Sequence, residues 1–352
     1  MDPPVGAITK VRREGYKVLE EIRIPDLKTK ILRLKTPKGM EVPDALKQLR
    51  EMFPGLPIDS NDLLDLSAGS SRQLAQAQAP LDYSRRAVGW GAVPETCGQG
   101  LRLGMIDGAV DVRHKALQGR KVTFKSFLGK GKKPAEVNHG TAVAVILVGK
   151  PNVSGSPGGL LPGAELFAAG IFEKRGGRKV GNLAAMVRAV SWFVREKVHL
   201  VNLSIAGSHN QIMERLLDRA AIKGLLMVAA AGNKGDKAPP AWPAAHPKVI
   251  AVTAIDNQLK IYDQANRGDY VDFAAPGVNL VTQVPEGLKL QSGTSFASPF
   301  ITAMVAIHLD AGFPTDADQL RGSLRRYTKD LGQSGKDTDF GWGLVRLKPS
   351  CR

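Results

Sequence analysis

Three short segments of this chain carry the residue types from which an acyl-transfer catalyst can be built. Gly104-Met105-Ile106-Asp107-Gly108 ends an apolar run on an aspartate. Asn138-His139-Gly140-Thr141-Ala142-Val143 opens a helix start on a histidine, and Ser292-Gly293-Thr294-Ser295-Phe296-Ala297-Ser298-Pro299 sets a serine among small residues. A serine hydroxyl is a weak nucleophile until an adjacent base takes its proton, and a histidine oriented by a carboxylate is such a base. In that scheme Ser295 attacks a carbonyl carbon. His139 takes the hydroxyl proton and hands it to the leaving amine, while Asp107 fixes the tautomer and stabilises the imidazolium. Taken singly, each residue has a plainer reading: a helix N-cap serine, a structural histidine, a turn aspartate. Their company argues otherwise. Gly293 and Ala297 leave room for a chain to approach, and the helix start after Ser295 favours developing negative charge.

Two further segments lie between the histidine and the serine, Val201-Asn202-Leu203-Ser204 and Ala229-Ala230-Ala231-Gly232-Asn233-Lys234-Gly235. The five segments, with 32 residues from Asp107 to His139 and 156 from His139 to Ser295, resemble those of the subtilisin-like serine proteases, the subtilases, over roughly residues 83 to 350. The resemblance implies a serine endopeptidase acting on polypeptides through an acyl-enzyme, with Asn233 donating its side-chain N–H to the oxyanion beside the backbone N–H of Ser295. It also implies that Ser204, Ile205, Ala206 and Gly207 pair with an extended peptide by main-chain hydrogen bonds. Ala230, Ala231 and Gly232 would wall the pocket for the residue before the scissile bond, and Gly170 with Ile171 would supply the opposite edge. Ala206 stands where glycine is common, which predicts a bias against bulky side chains at the pocket mouth. No Gly-x-Ser-x-Gly elbow surrounds Ser295, which argues against an esterase. The loop Lys150–Ser156 falls where many subtilases bind calcium, yet around Asn152 it offers one amide, two hydroxyls and no carboxylate. Calcium prefers six to eight oxygens. The expectation is therefore no cofactor and no metal, beyond a weak carbonyl-built calcium site near Asn152.

The elements that must position these residues alternate along the chain. Leu101–Ile106 reads as a strand presenting Asp107, and His139 opens a helix running to Val148. Leu166–Ile171 is a strand, Asn182 caps an amphipathic helix Leu183–Lys197, and His199–Ser204 is a buried strand. A helix Gln211–Lys223, strands Leu225–Ala230 and Val249–Ala254, and an apolar helix Phe296–Asp310 follow. The alternation predicts an α/β fold, a mostly parallel sheet with helices on both faces. Active residues at strand ends and helix starts suit such a sheet.

The chain before residue 83 reads differently. Residues 1–66 carry nearly balanced charge, 12 Lys/Arg against 11 Asp/Glu, so almost all of the net +16 belongs to the remainder. Tyr16–Ile24 and Leu27–Leu34 read as strands, Pro43–Phe53 as an amphipathic helix, and Leu56–Asp59 as a further strand-like piece. Residues 67–82, small and polar, read as a linker or processing region, which leaves 83–352 as the catalytic domain. A small α+β unit in front of such a domain resembles the inhibitory pro-segment of the family. That segment covers the cleft, assists folding and is cut off by the enzyme, so the N-terminal domain would act as an intramolecular inhibitor of a zymogen. The alternative is an accessory domain retained on an occluded, inactive binding protein.

Composition, at 43% hydrophobic and 23% charged residues, is that of an ordinary globular protein. No apolar run approaches the roughly 18 residues that span a bilayer. The first thirty residues lack a signal-peptide core, so the chain is either cytoplasmic or the product of a removed export signal, with a secreted or periplasmic location expected. Cys97 and Cys351 lie at the two ends of the presumed domain. In the fold resembled these ends approach each other, so the pair forms a disulfide in an oxidising compartment or remains two thiols in a cytosolic one. The basic clusters Lys130–Lys133 and Lys174–Lys179 lack interleaved aromatics, so a solvated surface is expected rather than a nucleic-acid site, on a monomer.

Overall fold

Every residue of Leu200–Leu203, Leu226–Ala230 and Ile250–Ile255 is buried. Strands buried on both faces belong inside a parallel sheet covered by helices, and the computed structural model contains one. It describes residues 1–352 except 67–68, 74–81, 130, 136, 152, 154–157, 176–177, 313–315 and 352. From the N-terminus run α1 (Ala7–Arg13), β1 (Lys17–Ile24), β2 (Thr29–Lys35), α2 (Val42–Met52), β3 (Leu63–Leu66) and β4 (Ser71–Gln73). Then come α3 (Tyr83–Val88), β5 (Arg102–Asp107), β6 (Val122–Ser126), α4 (Asn138–Val148), β7 (Glu165–Gly170), β8 (Glu173–Arg175) and β9 (Arg178–Asn182). They are followed by α5 (Leu183–Arg195), β10 (Leu200–Leu203), β11 (Ile205–Ala206), α6 (Gln211–Ile222), β12 (Leu226–Ala230) and β13 (Ile250–Ile255). The chain ends with β14 (Phe273–Pro276), β15 (Leu280–Val284), β16 (Gly287–Gln291), α7 (Thr294–Asp310), α8 (Ala317–Arg325), β17 (Thr328–Lys329) and β18 (Leu344–Val345).

The central sheet has nine strands in the order β17-β18-β14-β13-β12-β10-β5-β7-β6, parallel throughout except for β17 at one edge. Helices α4 and α7 pack with α3 and α8 in one apolar core, and α5 and α6 in another on the opposite face. Helix α7 is apolar almost all round and buried nearly along its length, as a central helix must be. Asn182 caps α5 as expected, its side chain accepting from the Ala185 amide. Cys97 and Cys351, 254 residues apart in sequence, are joined by a disulfide with Cα atoms 4.9 Å apart.

Ahead of this body, β1 and β2 form an antiparallel hairpin around a turn at Pro25–Leu27. Val11, Tyr16, Ala45 and Leu49 make a small core of their own, whereas Ile22, Ile24 and Ile31 share a core with α5 and α6. The predicted strand Leu56–Asp59 is not one. Pro54 and Pro57 remove ladder donors, and the residues that follow turn onto the starts of two helices instead. Asp59 Oδ2 accepts from the Gln211 amide at α6 (3.0 Å), Asn61 Oδ1 from the Ala184 amide at α5 (3.0 Å), and Asp62 Oδ2 from Asn210 Nδ2 (2.7 Å). Negative and polar groups at helix N-termini are favourable there. Both Glu20 carboxylate oxygens also accept from Arg188 Nη1 of α5, at 2.8 and 2.9 Å. Of the segment 67–82, residues 67–68 and 74–81 lie outside the described residues, and Ser71–Gln73 forms β4.

Candidate active site

Asp107 ends β5 at the rim of the sheet. Its Oδ1 accepts from the Gly108 amide (2.6 Å) and lies 2.7 Å from His139 Nδ1. His139 sits in the first turn of α4, which approaches the β5 loop so closely that a Cβ on Gly140 would lie 2.4 Å from the Ala109 carbonyl oxygen. Only glycine permits that contact. His139 Nε2 lies 2.7 Å from Ser295 Oγ, at the start of α7. Asp107 and Ser295 are fully buried and His139 is 4% exposed. The arrangement suits one tautomer, with Nδ1–H donating to the carboxylate and Nε2 accepting the serine proton. The Phe296 ring backs the imidazole, ring centres 4.7 Å apart.

Asn233 follows the end of β12 and is held by Thr294, which sequence reasoning did not single out. The Thr294 amide and hydroxyl both donate to Asn233 Oδ1, at 3.0 and 2.9 Å. The same hydroxyl accepts from the Gly232 amide (3.2 Å). This fixes which end of the Asn233 amide is the oxygen and ties it to the start of α7, the helix that carries Ser295. The signal was present in the Gly-Thr-Ser triplet, but a threonine before a serine reads as local helix-start chemistry. Pro299 has no N–H for the Ser295 carbonyl, and the Ser298 hydroxyl donates to that oxygen instead (3.4 Å).

Two segments, around β11 and β9, wall the cleft. Ser204, Ile205, Ala206 and Gly207 form one, with Ser204 Oγ accepting from buried Asn202 Nδ2 (3.1 Å), itself linked to Thr302 of α7 through Oδ1 (3.0 Å). Ala230 and Ala231 are fully buried at the end of β12, and Tyr270 Oη donates to the Ala231 carbonyl (2.7 Å) beside Gly232. Gly170 is a correction. It ends β7 inside the central sheet, paired with Asp107 and Ser126, and does not line the cleft. The chain beyond it folds into the β8–β9 hairpin, whose second strand provides the opposite edge.

Between these edges lies β3, in an antiparallel sheet of order β11-β3-β9-β8. Leu66 pairs with Ile205, and Asp65 pairs with Ala206 on one side and Val180 on the other. Leu64 is fully buried, and a Cβ on Gly207 would come within 2.8 Å of its Cδ2, so glycine there makes room for the occupant. Ala206 is buried under the same strand. Further along, the Ser292 amide donates to the Ser70 carbonyl (2.8 Å), and β4 adds antiparallel to β16. The N-terminal chain thus lies along β11 at Asp65 and Leu66 and beside Ser292, three residues from Ser295, at Ser70.

Among the described residues no group of three or more His, Cys, Asp or Glu side chains is placed to hold a metal ion, and Asn152 lies outside them. Beside that loop, buried Arg85 donates to the carbonyls of Gly91 (3.0 Å), Gly158 (3.0 Å) and Gly159 (2.7 Å). Its burial lowers its pKa to about 10. Among the described residues no helix is long and apolar enough to cross a membrane.

A sequence profile described as the subtilase family matches residues 98–343. The minor extracellular protease Epr of Bacillus subtilis (strain 168) is 30% identical over 293 residues, covering 82% of this chain and 44% of Epr. A thermophilic serine proteinase of Bacillus sp. (strain AK1) is 29% identical over 259 residues, 73% of this chain and 62% of that protein. The chain therefore spans about half the length of these relatives. Among solved structures, fervidolysin from Fervidobacterium pennivorans, a keratinolytic enzyme related to subtilisin, superposes with a TM-score of 0.77 at 22% identity. That match covers 98% of this chain and 59% of fervidolysin, so the shared fold extends over the N-terminal unit.

Proposed function

Because the chain belongs to the subtilase family, we propose that it is a serine endopeptidase, made as a zymogen that residues 1–66 inhibit until it cuts itself. The observation that carries this reading is the unbroken relay from Asp107 through His139 to Ser295, both links 2.7 Å, beside an asparagine anchored to the same helix. In the reaction, His139 Nε2 accepts the Ser295 proton as Oγ attacks the peptide carbonyl carbon. The negative charge that develops on the carbonyl oxygen receives hydrogen bonds from Asn233 Nδ2 and the Ser295 backbone N–H. His139 then protonates the departing amine, leaving an acyl-serine, and a water activated by the same imidazole releases the acid. Asp107 holds the ring in place through its bond to Nδ1.

Two observations support the zymogen. A strand of the N-terminal unit occupies the position of an extended peptide between β9 and β11, and the unit grips α5 and α6 by their N-termini. We propose that it acts on polypeptides as a monomer, and its secretion or periplasmic location is supported by the Cys97–Cys351 disulfide, which persists in oxidising compartments. The extracellular assignment in the name of Epr points the same way. Incubating the purified full-length chain is the test. Wild-type protein is expected to lose its N-terminal unit and to react with a fluorophosphonate, and Ser295→Ala to do neither. A wild-type chain that stays intact and unlabelled after dilution and mild denaturant would establish an occluded binding protein instead.

A further inference from the structure

Alternation along β3 sends Leu64 and Leu66 into the protein and leaves Asp65 facing outward at the mouth of the cleft. Its carboxylate does not simply face water. Oδ2 lies 2.7 Å from Lys234 Nζ and Oδ1 lies 3.4 Å from Arg178 Nη2. The two cations come from opposite walls: Arg178 opens β9, and Lys234 follows Asn233 directly. Among the described residues each has Asp65 as its ion-pair partner. The hairpin that carries Arg178 also bears Lys174, Arg175 and Lys179, so the potential at this edge is positive.

We propose that Arg178 and Lys234 form a cationic subsite that selects an aspartate or glutamate on the substrate residue paired with Ala206. This rests on the peptidase reading above and names part of its substrate class. Backbone pairing fixes the register, because a one-residue slip would turn the buried leucine positions outward. A peptide that takes the place of β3 therefore presents one side chain to both cations, and a basic side chain there meets two like charges. Arg178 and Lys234 are 74% and 61% exposed and Asp65 32%. Each pair is accordingly worth little alone, and the two act together through one carboxylate. The preference belongs to the residue next before the one paired with Ile205, apart from the apolar requirement at the Leu64 and Leu66 positions.

The test uses the processed protein and three internally quenched peptides with the sequence of residues 61–72. The residue at position 65 is aspartate, asparagine or lysine, and kcat/KM is measured for each. The aspartate peptide is expected to be cleaved about 3- to 10-fold faster than the asparagine peptide at low ionic strength, with lysine slowest. The ratio should shrink toward unity near about 1 M salt, where the screening length is about 3 Å. It should also vanish in the Arg178→Ala/Lys234→Ala double variant. Equal kcat/KM for the aspartate and asparagine peptides overturns the subsite and leaves the peptidase reading standing. A preference that survives in the double variant overturns its assignment to these two residues. No cleavage of any peptide overturns the peptidase reading, and the subsite with it.

Discussion

Thr294→Val separates a helix-start threonine from a residue that aims Asn233. Valine keeps the branched shape and the backbone N–H, so one of the two hydrogen bonds to Asn233 Oδ1 survives. The hydroxyl bond at 2.9 Å is lost, and the Gly232 amide loses its acceptor at 3.2 Å. The Gly232 amide and the Thr294 hydroxyl are buried, and Asn233 is half-buried. Leaving a buried amide unsatisfied costs about 1–3 kcal/mol, which a thermal melt reads directly. The effect on turnover is bounded by removing the donor altogether, roughly 10²–10³ in kcat, a magnitude that comes from subtilisin. With half its tether gone, Asn233 samples other orientations, and a loss of about 10-fold in kcat is expected, or about 1.4 kcal/mol. KM should change little, because the donor grips charge that exists only in the transition state. The assay is steady-state peptide hydrolysis by Thr294→Val, Asn233→Ala and the double variant. If Thr294 works through Asn233, the double variant is no slower than Asn233→Ala by more than about twofold. Wild-type kcat in Thr294→Val, or losses that multiply in the double variant, would refute the reasoning.

Three other outcomes follow from the packing. Arg85→Met should lower stability by about 2–4 kcal/mol, since it removes the donors to the carbonyls of Gly91 and Gly159 and puts an apolar chain beside them, and an unchanged melting temperature would count against the role. Cys97→Ser should cost about 2–5 kcal/mol, because the bond closes a loop with a sequence separation of 254 residues; reductant should reproduce the loss in wild type and do nothing further to the variant. Burial, the largest cause in each case, holds the rings of His246 and His308 below the ordinary histidine value of 6.5. The unfolded chain therefore binds more protons than the folded one below that value. Stability from these rings is fully present above pH 6.5 and is lost as the pH falls through the folded values, so melting temperatures should decline on acidification, less steeply in His308→Gln.

What the sequence made legible was chemistry written in local patterns. An aspartate closing Leu103-Gly104-Met105-Ile106, a histidine before Gly-Thr and a serine before an apolar helix each declare their element, and the parallel sheet follows from uninterrupted apolar strands. The cleft was less legible because its edges are made by pairing across long separations. Leu63-Leu64-Asp65-Leu66 is four residues with an acid inside it, and it becomes a strand only where β9 and β11 supply partners. The basic stretch around Arg178 has no apolar period of its own and reads as a solvated loop, yet it folds into the hairpin that forms one wall. Gly170 was assigned to that wall by resemblance alone. The register with Asp107 puts it in the central sheet, one hairpin too early. Helix α1 was missed for a similar reason, since only Ala7 and Val11 of its seven residues are buried.

The same topology bears on how a zymogen of this design would be switched on. The chain is held by two different surfaces, β3 by β11 and β9, and β4 by β16. A cut between Leu66 and Ser71 severs the chain and loosens neither attachment. The N-terminal unit keeps its helix-capping contacts through Asp59, Asn61 and Asp62, its Glu20–Arg188 pair and its shared core with α5 and α6, and it keeps β3 in the cleft with them. In such a zymogen β3 already lies between β9 and β11 before any cut, while vacating the site requires the whole docked unit to leave. Its own core holds only Val11, Tyr16, Ala45 and Leu49 as buried residues, so once undocked it has little to keep it folded. Unfolding of the released unit, or its digestion by molecules already active, is what would make the departure irreversible.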